Sequence, residues 1–175
     1  MHAVRAELPV DLDLTAAWRR LRDLSAPHLY VPGLTGAAFT GPQREGAGTR
    51  RRVRAAELLT LDETVTEWRE GEGLTLRLHR GDRGPPPPFR TFLFEYGLVD
   101  RGGRTWLVNR ARYSLRPVPW GARLDRALLR PLIARLLRDI TLAQKIHYET
   151  GQRVTAAGLR AWKRGKRPSR ASKGS

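Results

Sequence analysis

The sequence predicts an α+β fold, with an antiparallel β-sheet of about seven strands covered by one long C-terminal α-helix. Two observations predict it. Short runs of alternating apolar and polar residues recur between residues 2 and 116, separated by the Gly-, Pro- and Asp-rich turns of antiparallel strands. A single long helical pattern then runs from about Gly121 to Thr150.

The elements follow in order. His2, Val4, Ala6, Leu8 and Val10 alternate with Arg5 and Glu7, as in a half-buried strand. Asp11 or Asp13 can cap a helix to Asp23, with Leu14, Ala17, Trp18 and Leu21 on one side. Residues 25–33 are a turn-rich link broken by Pro27, Pro32 and Gly33. LTGAAFTG then leads through the glycine-rich 45–48 to TRRRVRAAELL, with a turn expected near Leu61 and Asp62 before ETVTEWRE. Gly71 and Gly73 precede LTLRLHR, and GDRGPPPP precedes FRTFLFEYGLV. A turn at 100–103 gives TWLVNRARYSLR, and Pro117 and Pro119 close the sheet.

The last helix carries RALLRPLIARLLRDI at 126–140. At 100° per residue, Leu128, Leu129, Leu132, Ile133, Leu136, Ile140, Ala143 and Ile146 share one wide arc. Arg123, Arg126, Arg130, Arg138 and Lys145 lie opposite. A peripheral membrane helix has the same pattern. Each strand, however, has an apolar face to cover, and only this helix is long enough, so it is read as the lid of the core. Pro131 is expected to kink it near its first turns.

Composition bounds the function. The 175 residues suit one domain, taken as 1–150, and a basic tail, 151–175. The chain lacks cysteine, which excludes disulfides, thiolate metal sites and a cysteine nucleophile. No apolar run approaches the ~18 residues of a spanning helix, and the N-terminus lacks a signal-peptide pattern, so a cytoplasmic protein is expected. The net charge is +16, from 29 Arg and 4 Lys against 17 acids. Eight of those bases and none of the acids fall in 151–175, a segment short of large apolar residues and expected to stay outside the core. With Trp162 it could bind polyanions weakly and without specificity.

Five stretches in this order resemble the helix-grip proteins of the START/Bet v 1-like superfamily, the SRPBCC or polyketide cyclase/dehydrase-like proteins. They are AAWRRLRDL at 16–24, PGL at 32–34, GAGTRRRV at 46–53, LDETVTEW at 61–68 and LDRALLRPLIARLLRD at 124–139. The resemblance spans about residues 2–150. It implies a curved sheet wrapped around the C-terminal helix, with a cavity for a lipid, sterol, polyketide or hormone. It also implies that the loops at 59–62, 81–88 and 117–121 gather at one end, where Phe89 and Trp120 would flank an entrance.

Strand parity then nominates the lining. Leu76, Phe92, Phe94, Tyr96, Leu107, Asn109 and Tyr113 fall on inward positions, facing Ile133, Leu136 and Ile140 of the helix. Ala111 shares that face, and Ala111→Phe is the natural cavity-filling change. Asn109 and Arg51 are polar at inward positions and need partners. Asp139 is expected to pair with Arg135 or to reach Arg51.

Other chemistries are not supported. GAGTR precedes a strand, not the helix a phosphate loop requires. His2, His28, His79 and His147 have no metal-ligand spacing, and no cofactor is expected. The expected function is therefore binding, transport or sensing of a hydrophobic or amphipathic small molecule. The alternatives are an aromatase/cyclase-type enzyme using Asn109, Tyr113 or Arg51, and a polyanion-binding adaptor working through the tail.

Overall fold

The computed structural model describes residues 1–55, 59–117, 123 and 125–165. Seven antiparallel strands form one sheet: β1 (His2–Pro9), β2 (Leu34–Phe39), β3 (Arg50–Ala55), β4 (Leu59–Arg69), β5 (Gly73–His79), β6 (Phe89–Asp100) and β7 (Thr105–Leu115). Their order across the sheet is β1-β7-β6-β5-β4-β3-β2, so the first and second strands are its two edges. Helix α1 (Leu14–Leu21) and a 3₁₀ turn (Pro27–Leu29) separate β1 from β2. A π-helical turn (Asp125–Leu129) leads into the long α2 (Arg130–Thr150), and a short α3 (Ala156–Lys163) follows. This is the curved sheet and C-terminal helix expected of a helix-grip fold.

Local chemistry explains the boundaries. Asp13 caps α1, its carboxylate accepting from the Ala16 amide at 2.6 Å. Trp18, on the buried face of α1, packs edge-on against Trp68 and donates to Glu70 at 2.9 Å. Gly73 opens β5 where two backbones cross: a Cβ there would lie 2.2 Å from the Tyr96 carbonyl oxygen. Gly151 ends α2 in the left-handed conformation, φ 71°.

Two sequence expectations are corrected. The turn placed near Leu61 and Asp62 belongs earlier, because Ala55 pairs with Leu59 and both expected turn residues are in strand. Asp62 is held in β4 by Arg52, its cross-strand neighbour, at 2.8 Å. Pro131 sits in the first turn of α2, directly after the π-helical turn Asp125–Leu129, so the irregularity falls at the start of the helix.

The second correction concerns the buried arc of α2. Ile133, Leu137, Ile140, Thr141, Gln144, His147 and Tyr148 face inward, while Leu128, Leu132 and Leu136 are 56, 58 and 40 % exposed. Leu137 thus takes the enclosed place expected for Leu136. An arc computed from aliphatic residues alone misses the inward pull of Asn109, which brings Thr141 and Gln144 to its amide.

The segment after Gly151 also differs from expectation over its described part. Val154 and Leu159 are buried against Ala143, with Leu142 and Ile146 beside them. The Val154 amide donates to the Leu29 carbonyl at 2.8 Å, and Thr155 caps α3. Asp139 pairs with Lys163 of α3 and not with Arg135 or Arg51. Two apolar anchors and a cap suffice to dock a helix that composition alone reads as unstructured. Leu159→Ala should therefore cost about 2–3 kcal/mol in chemical denaturation. Residues 166–175 of the expected tail lie outside the described residues.

Candidate functional site

The sheet register brings the parity-selected side chains together. Phe92 pairs with Tyr113, Phe94 with Ala111, Tyr96 with Asn109 and Leu76 with Phe94. Phe92, Tyr96, Leu76, Leu107, Asn109 and Tyr113 are each at most 5 % exposed. Ile133 joins Phe92 and Tyr113 in one cluster, and Ile140 joins Tyr96, Leu76 and Leu107 in another. Phe89 is half-buried, packed edge-on against Phe92 and Tyr113 at 4.9 and 5.7 Å. Trp120, its expected companion at an entrance, lies outside the described residues. Ala111 is completely enclosed among Val4, Phe92, Tyr113, Ile133 and Leu137, so Ala111→Phe would overpack a solid region.

Leu136 has a different setting. It lies eleven residues, three helical turns, before His147 and shares its phase. His147 stacks on Tyr30, just before β2, at 5.9 Å. Leu136 is nonetheless 40 % exposed, whereas His147 is buried. Across the sheet, Phe94 and Leu78 sit on the concave face of central strands yet are only partly buried. Their neighbours Leu76 and Ala111 are 1 and 0 % exposed.

Three polar groups stand inside this apolar frame. Asn109 donates to Thr141 Oγ1 at 3.0 Å and Gln144 Oε1 at 2.7 Å, and Gln144 in turn donates to the Tyr148 hydroxyl. The Asn109 carbonyl oxygen is buried with no partner. Arg51, also expected inward, pairs directly across β3–β4 with Glu63, Nε to Oε2 at 2.6 Å, and donates to the Leu24 carbonyl at 2.7 Å. The pair is 3 and 7 % exposed.

The third group has no counterpart among the sequence expectations. Buried Asp125 accepts from the Tyr113 hydroxyl at 2.6 Å, and its other oxygen meets His2 Nδ1 at 2.8 Å. His2 stacks on Tyr113 with ring centroids 5.3 Å apart. Sequence spacing carries no signal for this trio, because its members come from opposite ends of the domain.

All four tyrosines titrate high. Burial pushes the phenols of Tyr30, Tyr96, Tyr113 and Tyr148 above their ordinary value of 10.0, with the Asp125 carboxylate adding to the effect on Tyr113. Folding therefore favours the neutral phenol. The associated stability is full below about pH 10 and is lost as pH rises through the folded values. Ultraviolet titration should show phenolate appearing only together with loss of far-ultraviolet helical signal. Independent phenolate formation near pH 10 in the folded chain would contradict this burial.

The whole first 144 residues match the family model described as polyketide cyclase / dehydrase and lipid transport. The chain belongs to this family. Among solved structures, the Zhui aromatase/cyclase from Streptomyces sp. R1128 superposes with a TM-score of 0.67 at 18% identity, covering 90% of this chain and 98% of that one. A protein from Thermus thermophilus gives 0.62 at 23% identity, covering 84% and 97%. Ara h 8.0201 gives 0.58 at 12% identity, with the same coverage. At these identities the likeness is one of fold. No curated protein matches the chain in sequence. The family's description covers both a cyclase and a lipid carrier, so the interior must decide between chemistry and binding. Among the described residues no helix is long and apolar enough to cross a membrane.

Proposed function

We propose that this chain binds a hydrophobic or amphipathic small molecule, such as a lipid or polyketide, between the concave sheet face and α2. Leu76, Phe92, Phe94, Tyr96, Leu107, Tyr113, Ile133 and Ile140 would form the apolar wall, with Leu136 and Phe89 towards the opening. Asn109 and Arg51 would set the polar end. The observation that carries this reading is the partial exposure of Phe94 and Leu78 in mid-sheet. A solid core buries such positions, and an apolar ligand would restore their missing dispersion contacts. The unpartnered Asn109 carbonyl fits a ligand hydroxyl, since leaving it bare costs about 1–3 kcal/mol.

Native mass spectrometry of the chain from its own host, with uptake of a fluorescent naphthalene probe, tests this. Leu78→Trp should fill the open space and lower probe uptake more than it lowers thermal stability. A wild type that carries no ligand and takes up no probe would end the reading.

One observation favours an enzyme instead. With Nδ1 of His2 held by Asp125, Nε2 is left as the nitrogen for proton transfer, beside the Tyr113 ring. In a cyclase of the kind named for the Streptomyces neighbour, that imidazole would serve as the acid/base. His2→Ala should then abolish formation of a cyclised, dehydrated product from a poly-β-ketone while probe binding persists. Unchanged product formation would remove His2 from the chemistry.

A further inference from the structure

Leu128, Leu132 and Leu136 follow one another at intervals of four and are 56, 58 and 40 % exposed. Single exposed leucines are ordinary, but three in a row form a continuous apolar stripe along the first half of α2 and the turn before it. The same flank continues as Leu142, Ala143 and Ile146, and there α3 covers it with Leu159, while Val154 fills beside it. Among the described residues, nothing comparable covers the half that carries Leu128, Leu132 and Leu136.

The surrounding charge selects the occupant. Arg135 borders the stripe, and Arg123, Arg126, Arg130 and Arg138 lie on the other side of the same turns; all five are exposed, and none has a carboxylate partner among the described residues. The two acids between 123 and 139 are already engaged: Asp125 by His2 and Tyr113, Asp139 by Lys163. A second copy of the chain would bring the same arginines, and a further +16, against their own image. An anionic bilayer offers the complement, with phosphates for guanidinium groups and an acyl boundary for leucines. We propose that the first half of α2 and its preceding turn dock on an anionic lipid surface, leucines inserted, Arg135 on the headgroups and the other arginines adding longer-range attraction. This surface meets the interior site only at Leu136, which the variants below leave in place.

The test is sedimentation of the full chain with vesicles of phosphatidylcholine alone and of phosphatidylcholine mixed with phosphatidylglycerol. Wild type should bind the mixed vesicles and not the neutral ones. In Leu128→Ser/Leu132→Ser, each lost leucine should weaken vesicle affinity about tenfold. Retention on heparin, which reads charge alone, and the unfolding temperature should not change. If the double variant fails to fold, Leu132→Ser alone carries the same measurement. No binding to mixed vesicles, or binding unaffected by the serines, would overturn the proposal. So would a wild-type dimer that the serines dissolve, which would assign the stripe to self-association.

Discussion

Glu63→Ala should destabilise the fold by about 3–5 kcal/mol, measured by urea unfolding at neutral pH. The carboxylate is the only acidic partner of Arg51 among the described residues, and both groups are almost wholly buried. Removing it leaves a guanidinium in an apolar interior with the Leu24 carbonyl as its principal acceptor. Burial alone would lower the Arg51 pKa, yet the facing Glu63 charge and hydrogen bond, with the nearby tyrosines, hold it above its ordinary value. The double variant Arg51→Met/Glu63→Leu should recover most of the loss, because it removes both charges together. The neighbouring Arg52–Asp62 pair is the control: its arginine is 55 % exposed, so Arg52→Ala should cost about 0–1 kcal/mol. A loss below about 1 kcal/mol for Glu63→Ala would mean that water reaches Arg51.

Gly73→Ala is the second large effect, expected at about 3 kcal/mol or more. The added methyl would meet backbone on two sides, the Tyr96 carbonyl oxygen at 2.2 Å and Gly97 Cα at 2.9 Å. Its φ of 154° adds strain for any side chain. Neither obstacle is a flexible side chain that could turn away. The displacement would fall on Tyr96, which pairs with Asn109, so probe binding should decline along with stability. Gly71→Ala provides the contrast. It shares positive φ but meets nothing within 4 Å, and should cost only the backbone term of about 1–2 kcal/mol. Equal losses at the two positions would refute the steric argument.

The sheet is legible in the sequence because parity is a strict code: inward positions on β5, β6 and β7 follow from alternation alone. The helix is less so. Its aliphatic residues span more than one face, and only the interior amide of Asn109 determines which side turns in. Arg51 is readable as an inward base, but its partner is hidden for a definite reason. With the β3–β4 turn set near Leu61–Asp62, Glu63 cannot face Arg51; with Ala55 opposite Leu59, it must. The His2–Asp125–Tyr113 trio cannot be read from spacing at all. Its members meet through the pairing of β1 with β7 and the entry of the final helix, which are tertiary facts. Charge misleads in the last segment, where a basic composition conceals Val154 and Leu159, enough to anchor one short helix.

The placement of β1 has a consequence for biosynthesis. His2 pairs with Tyr113, so the first strand to leave the ribosome waits for the last strand of the sheet. At about 5–20 residues per second, that wait is on the order of 5–20 s. Meanwhile β2 to β6 can assemble as successive hairpins, each with its neighbour already made. The nascent β1 has no such neighbour, and its Arg5 and Glu7 help to keep it from pairing with a stranger. Only when Asp125 has been synthesised can His2 find its carboxylate. A translation product that stops short of the final helix would therefore hold most of the sheet and none of the finished interior, making it a natural substrate for quality control.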